Sequence, residues 1–216
     1  MTDASSPLPA EPASSPARDW WLRTLLVLQR PRPVFVALRD DTPESAGARA
    51  EPILLIVLLA GIAAVLADAG TYLDDPMRSG VDLSIWAFFA GGITGGFAYF
   101  LVGGILDRVV KALGSQGTYR RSRHVLAFAA APIALSLMLW PVKLTLYGED
   151  WFRTGGRDAA GGAVAFDVLG LGFLAWSVVL LAIGVRSVHG WAWPRALAAT
   201  AITLVLPVAA SLALTL

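Results

Sequence analysis

Residues 83–106 read LSIWAFFAGGITGGFAYFLVGGIL, twenty-four positions without an acid, a base or a proline. As a helix this run is about 36 Å long, more than the hydrocarbon thickness of about 30 Å, so it predicts a membrane span. Outward from it, apolar runs over 52–67, 125–146, 163–185 and 196–216 repeat the signal. The first of these is short for a span and is expected to extend back into 48–51, with Pro52 in a first turn that needs no backbone donor there. The expected fold class is all-α: an integral membrane bundle of five transmembrane helices with short N-terminal interfacial helices.

Composition points the same way. Only 15% of the 216 residues are charged, 56% are hydrophobic and the mean hydropathy is +0.63, whereas about a quarter of a soluble domain is charged. The charges gather in the first fifty residues and in four short stretches between the apolar runs. A net charge of +1 lacks the basic footprint of a nucleic-acid binder, so no nucleic-acid partner is expected. Without cysteine there can be no disulfide, thiolate metal site or cysteine nucleophile. Only Lys111 and Lys143 of the 17 basic residues are lysine, which with abundant Ala and Gly fits GC-rich bacterial coding.

The chain divides into three parts. Residues 1–17, rich in Ser, Pro and Ala, cannot bury enough apolar surface to offset the entropy of ordering, and a disordered cytoplasmic tail is expected there. They also lack the basic and apolar regions of a signal peptide, so the first span is expected to act as the signal. Residues 18–50 form an amphipathic segment. Trp20, Trp21, Leu22, Leu25, Leu26 and Leu28 alternate with Arg18, Asp19, Arg23 and Arg30, and after Pro31 and Pro33 a second short piece carries Phe35 and Leu38. Two readings stand: these pieces lie in the headgroup region, or they pack on the cytoplasmic helix ends. Residues 51–216 form the five-helix domain.

Basic residues beside membrane segments stay in the cytoplasm. The N-terminal part holds Arg18, Arg23, Arg30, Arg32, Arg39 and Arg49; the second loop holds Arg108, Lys111, Arg120, Arg121 and Arg123; the fourth holds Arg186 and Arg195. Only Arg78, Lys143, Arg153 and Arg157 fall on the other side, beside seven acids. This predicts a cell-membrane protein with its N-terminus in the cytoplasm and its C-terminus outside. The cytoplasmic basic face, Arg108, Lys111, Arg120, Arg121, Arg123, Arg186 and Arg195, is expected to meet anionic lipid. Asp107, beside Arg108, reads as solvated.

In the second span Gly91 with Gly95, and Gly92 with Gly96, form small-xxx-small pairs that let helix backbones approach closely. They serve packing within the bundle or a homo-oligomer interface. With no strand before them and membrane depth around them, they are no nucleotide fingerprint. Pro132, Pro141 and Pro207 are expected to break the helical hydrogen-bond ladder.

An ionisable group inside a span is a candidate for function. Lys143 and Asp167 fall at similar depth near the outer ends of the third and fourth spans. They form a candidate polar pair or share an outward vestibule, or each snorkels to water separately. His124 and His189, at cytoplasmic helix ends, lack companions for a metal site, so lipid phosphates or helix ends are their expected contacts. No catalytic triad, paired intramembrane carboxylates, zinc-protease helix or phosphate loop appears. No catalytic residue, metal or cofactor is expected.

Three stretches resemble the bacterial members of the Yip1-domain family. They are Gln29-Arg-Pro-Arg-Pro-Val-Phe-Val-Ala-Leu38 before the first span, Arg123-His-Val-Leu-Ala-Phe-Ala-Ala-Ala-Pro132 leading the third to its proline, and Gly184-Val-Arg-Ser-Val-His-Gly-Trp-Ala-Trp-Pro-Arg-Ala196 between the last two. The resemblance covers about 29–216. It implies five spans and a cytoplasmic N-terminus. Eukaryotic members are linked to Rab GTPases and vesicle traffic, but the paired Asp-Leu-Tyr-Gly-Pro motif of that branch is absent here. The expected function is a non-enzymatic, membrane-organising or trafficking-type scaffold. Its expected partners are the bilayer, anionic lipids, and further copies or other membrane proteins. The alternative is a small transporter or permease component using the vestibule near Lys143 and Asp167.

Overall fold

A computed structural model describes residues 16–215. Residues 1–15 of the expected tail lie outside the described residues. Among the described residues the chain is helical and contains no strand. Three short helices come first: α1 (Pro16–Leu26), α2 (Pro31–Ala37) and α3 (Pro43–Ala48). Proline opens each of them, at the position where a missing N–H costs nothing. The α4 helix (Ala50–Ala67) and α5 (Gly80–Ala112) follow.

Four stretches are long and apolar enough to cross a membrane: Ala50–Ala67, Gly80–Ala112, Tyr119–Phe152 and Gly162–His189. They make the chain a multi-pass membrane protein; among the described residues the fifth expected span, 196–216, does not meet the same measure.

The second stretch outruns its apolar core at both ends. Ser79 accepts from the Asp82 backbone N–H, while the Asp82 carboxylate accepts from the Ser79 N–H at 2.9 Å, a reciprocal cap that starts α5 ahead of the apolar run. Ser79→Ala is expected to cost about 1 kcal/mol in detergent unfolding. At the far end a Lys111–Asp107 pair at 2.8 Å carries the helix past the lipid depth. Gly114, at φ +87°, then lets the N–H groups of Gly114 and Ser115 turn back onto the carbonyls of Lys111 and Val110.

The third stretch is segmented. It comprises α6 (Tyr119–Ala129), α7 (Ala131–Leu135), a 3₁₀ turn at Ser136–Met138 and α8 (Leu139–Tyr147). The breaks sit just ahead of Pro132 and Pro141, which cannot donate to the ladder. Pro207, in contrast, lies within a continuous α10 (Trp193–Thr215).

The helix α9 (Gly162–His189) supplies the fourth stretch. The α5 helix packs on α4, α6 and α10, and α9 packs on α2, α6, α7 and α10. Ile85, Phe88, Phe89, Ile93, Phe97 and Phe100 are exposed along α5, the outward stripe expected of a helix whose solvent is lipid.

Two apolar clusters mark the two ends. One, at the arginine-rich end, joins Trp20, Val27, Val34, Phe35 and Leu38 of the N-terminal segment to Val110, Val125, Phe128, Val185 and Ala196. The other, at the acidic end, joins Leu73, Leu83, Trp140, Trp151, Phe152 and Phe166. Of the two readings left open for the N-terminal pieces, packing on helix ends describes Phe35 and Leu38, both fully buried. Leu22 and Leu25 of α1 are exposed, along an apolar groove shared with Leu55, Leu59 and Met138.

Candidate functional site

At the arginine-rich end Arg49 precedes α4 with its side chain wholly buried. Its Nε donates to Nδ1 of His124 at 2.8 Å, one terminal nitrogen donates to the Asp40 carbonyl at 2.9 Å, and the other meets the Asp41 carboxylate at 3.1 Å. A guanidinium cannot accept, so Nδ1 of His124 carries the lone pair and its ring proton sits on Nε2. The Trp20 ring lies 5.4 Å from the same guanidinium. Burial pulls Arg49 below its ordinary value, opposed chiefly by Asp41; an arginine nonetheless stays charged.

Asp41 is the second hub. It pairs with Arg120 at 2.8 Å and accepts from the Thr118 hydroxyl, so one carboxylate ties the turn before α3 to α4 and to the start of α6. Asp40 and Thr42 shape that turn: Asp40 accepts from the Ser45 hydroxyl at 2.7 Å, and Thr42 caps α3. Arg121 donates to the Arg39 carbonyl at 2.7 Å, and Arg39 donates to the Ser187 carbonyl of α9 at 3.0 Å. Residues 39–49 are thereby clasped to α6 and α9 through polar contacts.

Burial works to raise the Asp41 carboxyl, but hydrogen bonds from Thr118 and Arg120 and the charges of Arg120 and Arg49 prevail and hold it below the usual carboxylate range. A carboxylate depressed on folding stabilises the protein above its unfolded value of about 3.9, and that contribution is lost as pH falls through the lower folded value. Acidification below about pH 4 is therefore expected to loosen residues 39–49, seen as faster amide exchange there than in α5.

The basic residues predicted to face lipid divide. Arg120 and Arg121 bond to the protein, Arg123 lies over the rings of Tyr99, Phe100 and Tyr119, and Arg186 and Arg195 lie over Trp193 and Trp191. Arg108 is exposed, and Lys111 pairs with Asp107. Asp107 is not solvated: it is 4% exposed, with Ser122 as a second partner at 3.4 Å. The α6 start packs over it, which hydropathy alone does not reveal. His189 contacts Ser115 at 2.9 Å. Among the described residues no three metal-ligating side chains gather.

Gly91 and Gly95 are buried against α4, where Gly61 meets them. A Cβ on Gly61 would run into the Gly91 carbonyl oxygen and stand 2.7 Å from the Gly95 nitrogen; one on Gly91 would stand 2.6 Å from the Ile62 Cα. Gly92 meets only the Leu58 side chain at ordinary distance, and nothing lies near Gly96. Gly61 escaped the sequence reading because it stands alone in its span, without a companion at four-residue spacing.

At the acidic end Lys143 is 8% exposed, its ammonium 4.3, 4.1 and 5.3 Å from the ring centres of Trp140, Trp151 and Phe166. Asp167 is exposed on α9, and among the described residues no ion pair within 4 Å joins the two. The rings attract the cation by about 2 kcal/mol or more when desolvated, and burial of the charge opposes them. Lys143→Met, of similar volume, is expected to shift thermal stability by less than about 1 kcal/mol.

The family model for the Yip1 domain matches residues 25–215. No curated protein and no solved structure matches the chain.

Proposed function

The chain belongs to the Yip1 domain family, and on that basis we propose that it is a non-enzymatic, membrane-organising scaffold that presents a folded arginine-rich face to the cytoplasm. In this reading α10 is the fifth span, the N-terminal helices lie on the cytoplasmic surface and the C-terminus reaches the outside. The observation that carries it is the clasp: Arg49, Asp41 and Arg39 hold residues 39–49 against α4, α6 and α9. Residues 16–49 thereby form an ordered platform on which α1 keeps an exposed apolar side. Leu22 and Leu25 on that side suit the interface between headgroups and acyl chains, or a membrane-protein partner.

The test is cross-linking in intact membranes from a photoreactive residue at Glu44, exposed in α3. The reading expects defined protein partners for the wild type and their loss when Arg49 is replaced by alanine. Recovery of no protein, or unchanged partners in the variant, would count against it. The competing reading as a small transporter has less support, because three aromatic rings cover the Lys143 ammonium where a vestibule would need water.

A further inference from the structure

A cavity of about 150 Å³ opens between α2 and the end of α9, and Arg32, Arg39 and Arg186 all line it, with Val36, Ser187, Gly190 and Trp191 completing the wall. Three arginines from two parts of the chain, Arg32 and Arg39 in and just after α2 and Arg186 near the end of α9, thus line one small space. No carboxylate lines it, and among the described residues no acid pairs with any of the three within 4 Å.

The α9 terminus explains only part of this charge. Arg39 caps it by donating to the Ser187 carbonyl, but a helix C-terminus is worth about half a negative charge, which leaves about two and a half positive charges uncompensated. Arg186 carries a second signal. Its guanidinium lies 4.6 Å over the Trp193 ring, and its Nε is buried with no hydrogen-bond partner among the described residues. A buried, unpaired, charged donor beside an acid-free cavity is an arrangement that an anionic acceptor completes.

We propose that this cavity binds a phosphate group, held by the forked donors of Arg32, Arg39 and Arg186. Guanidinium matches phosphate oxygens two at a time, and the cavity is too small to enclose a nucleoside as well. The phosphate comes from an anionic phospholipid headgroup or from free phosphate. The inference deepens the membrane-organising reading and rests on it only for the lipid source.

The experiment uses the full chain in neutral detergent. Thermal unfolding is followed as sodium phosphate replaces sodium chloride at constant ionic strength, and lipid retention is counted by native mass spectrometry after exchange into mixed phosphatidylglycerol and phosphatidylcholine. The variants are Arg32→Gln with Arg186→Gln, and, removing the same charge from exposed positions at the acidic end, Arg78→Gln with Arg157→Gln. The wild type and the second variant are expected to respond alike, and the first to bind about tenfold more weakly or worse, as loss of charge-assisted bonds requires.

A phosphate response without phosphatidylglycerol retention assigns free phosphate, leaving the pocket standing even if the scaffold reading fails; the converse assigns a headgroup. If the wild type responds to neither probe, or the Arg32→Gln/Arg186→Gln variant responds as the wild type does, the pocket is not a phosphate site. Because Arg32 is exposed, Arg32→Gln alone keeps the test open should the double variant fail to fold.

Discussion

Gly61→Leu is expected to unfold a large fraction of the protein, with a loss of about 3 kcal/mol or more in a reversible detergent titration. Lipid tails are as apolar as side chains, so α4 and α5 gain little from hydrophobic burial and are held together by close van der Waals contact. That contact exists because Gly61 lies against the backbone of Gly91 and Gly95. A side chain there meets main-chain atoms, which cannot swing aside as a flexible side chain would, so the helices must separate along their whole interface. Even Gly61→Ala should be destabilising, although alanine is favoured over glycine inside a helix by about 1 kcal/mol. Gly96→Ala supplies the contrast: with nothing near its Cβ, only the propensity gain remains, and stability should stay level or rise. Equal damage from the two substitutions would refute the interface.

Arg49→Ala is expected to cost about 3 kcal/mol and to release the N-terminal helices before the bundle itself opens. Removing one partner of a buried ion pair leaves the other uncompensated, a loss of about 3–5 kcal/mol, and Asp41 is nearly as buried as Arg49. The lower figure applies because Arg120 still reaches Asp41. His124 would also lose the donor that its Nδ1 faces. Lysine should not rescue the site, since a single ammonium cannot span Nδ1 of His124, the Asp40 carbonyl and the Asp41 carboxylate with a fixed fork. Amide exchange over 31–49 and over α5 separates local release from global unfolding. A double-variant cycle with Asp41→Ala isolates the coupling between the two charges.

Segment hydropathy was enough to locate the four stretches long and apolar enough to cross a bilayer, because the cost of exposing polar backbone and charge to hydrocarbon is set by local composition over about twenty residues. It also placed the breaks at Pro132 and Pro141, where a missing N–H is a property of the residue itself. The Gly91–Gly95 pair was legible for the same reason, as a spacing on one helix.

What each side chain meets was not legible. Arg49 and Arg120 read as two more basic residues near a span, and Asp41 as an acid in a loop, yet tertiary structure brings them together across 79 positions of sequence. Gly92 and Gly96 have the same spacing as Gly91 and Gly95, and only the rotation of α5 against α4 decided which pair closes on Gly61. Likewise Lys143 and Asp167 share a depth that topology predicts, while the packing of Trp140, Trp151 and Phe166 determined what surrounds the lysine. The sequence by itself determined which four segments are long and apolar enough to cross a membrane, since that depends on the segment alone. Tertiary structure decided which charges are buried and paired, since Coulomb and packing energies depend on separations that no single segment contains.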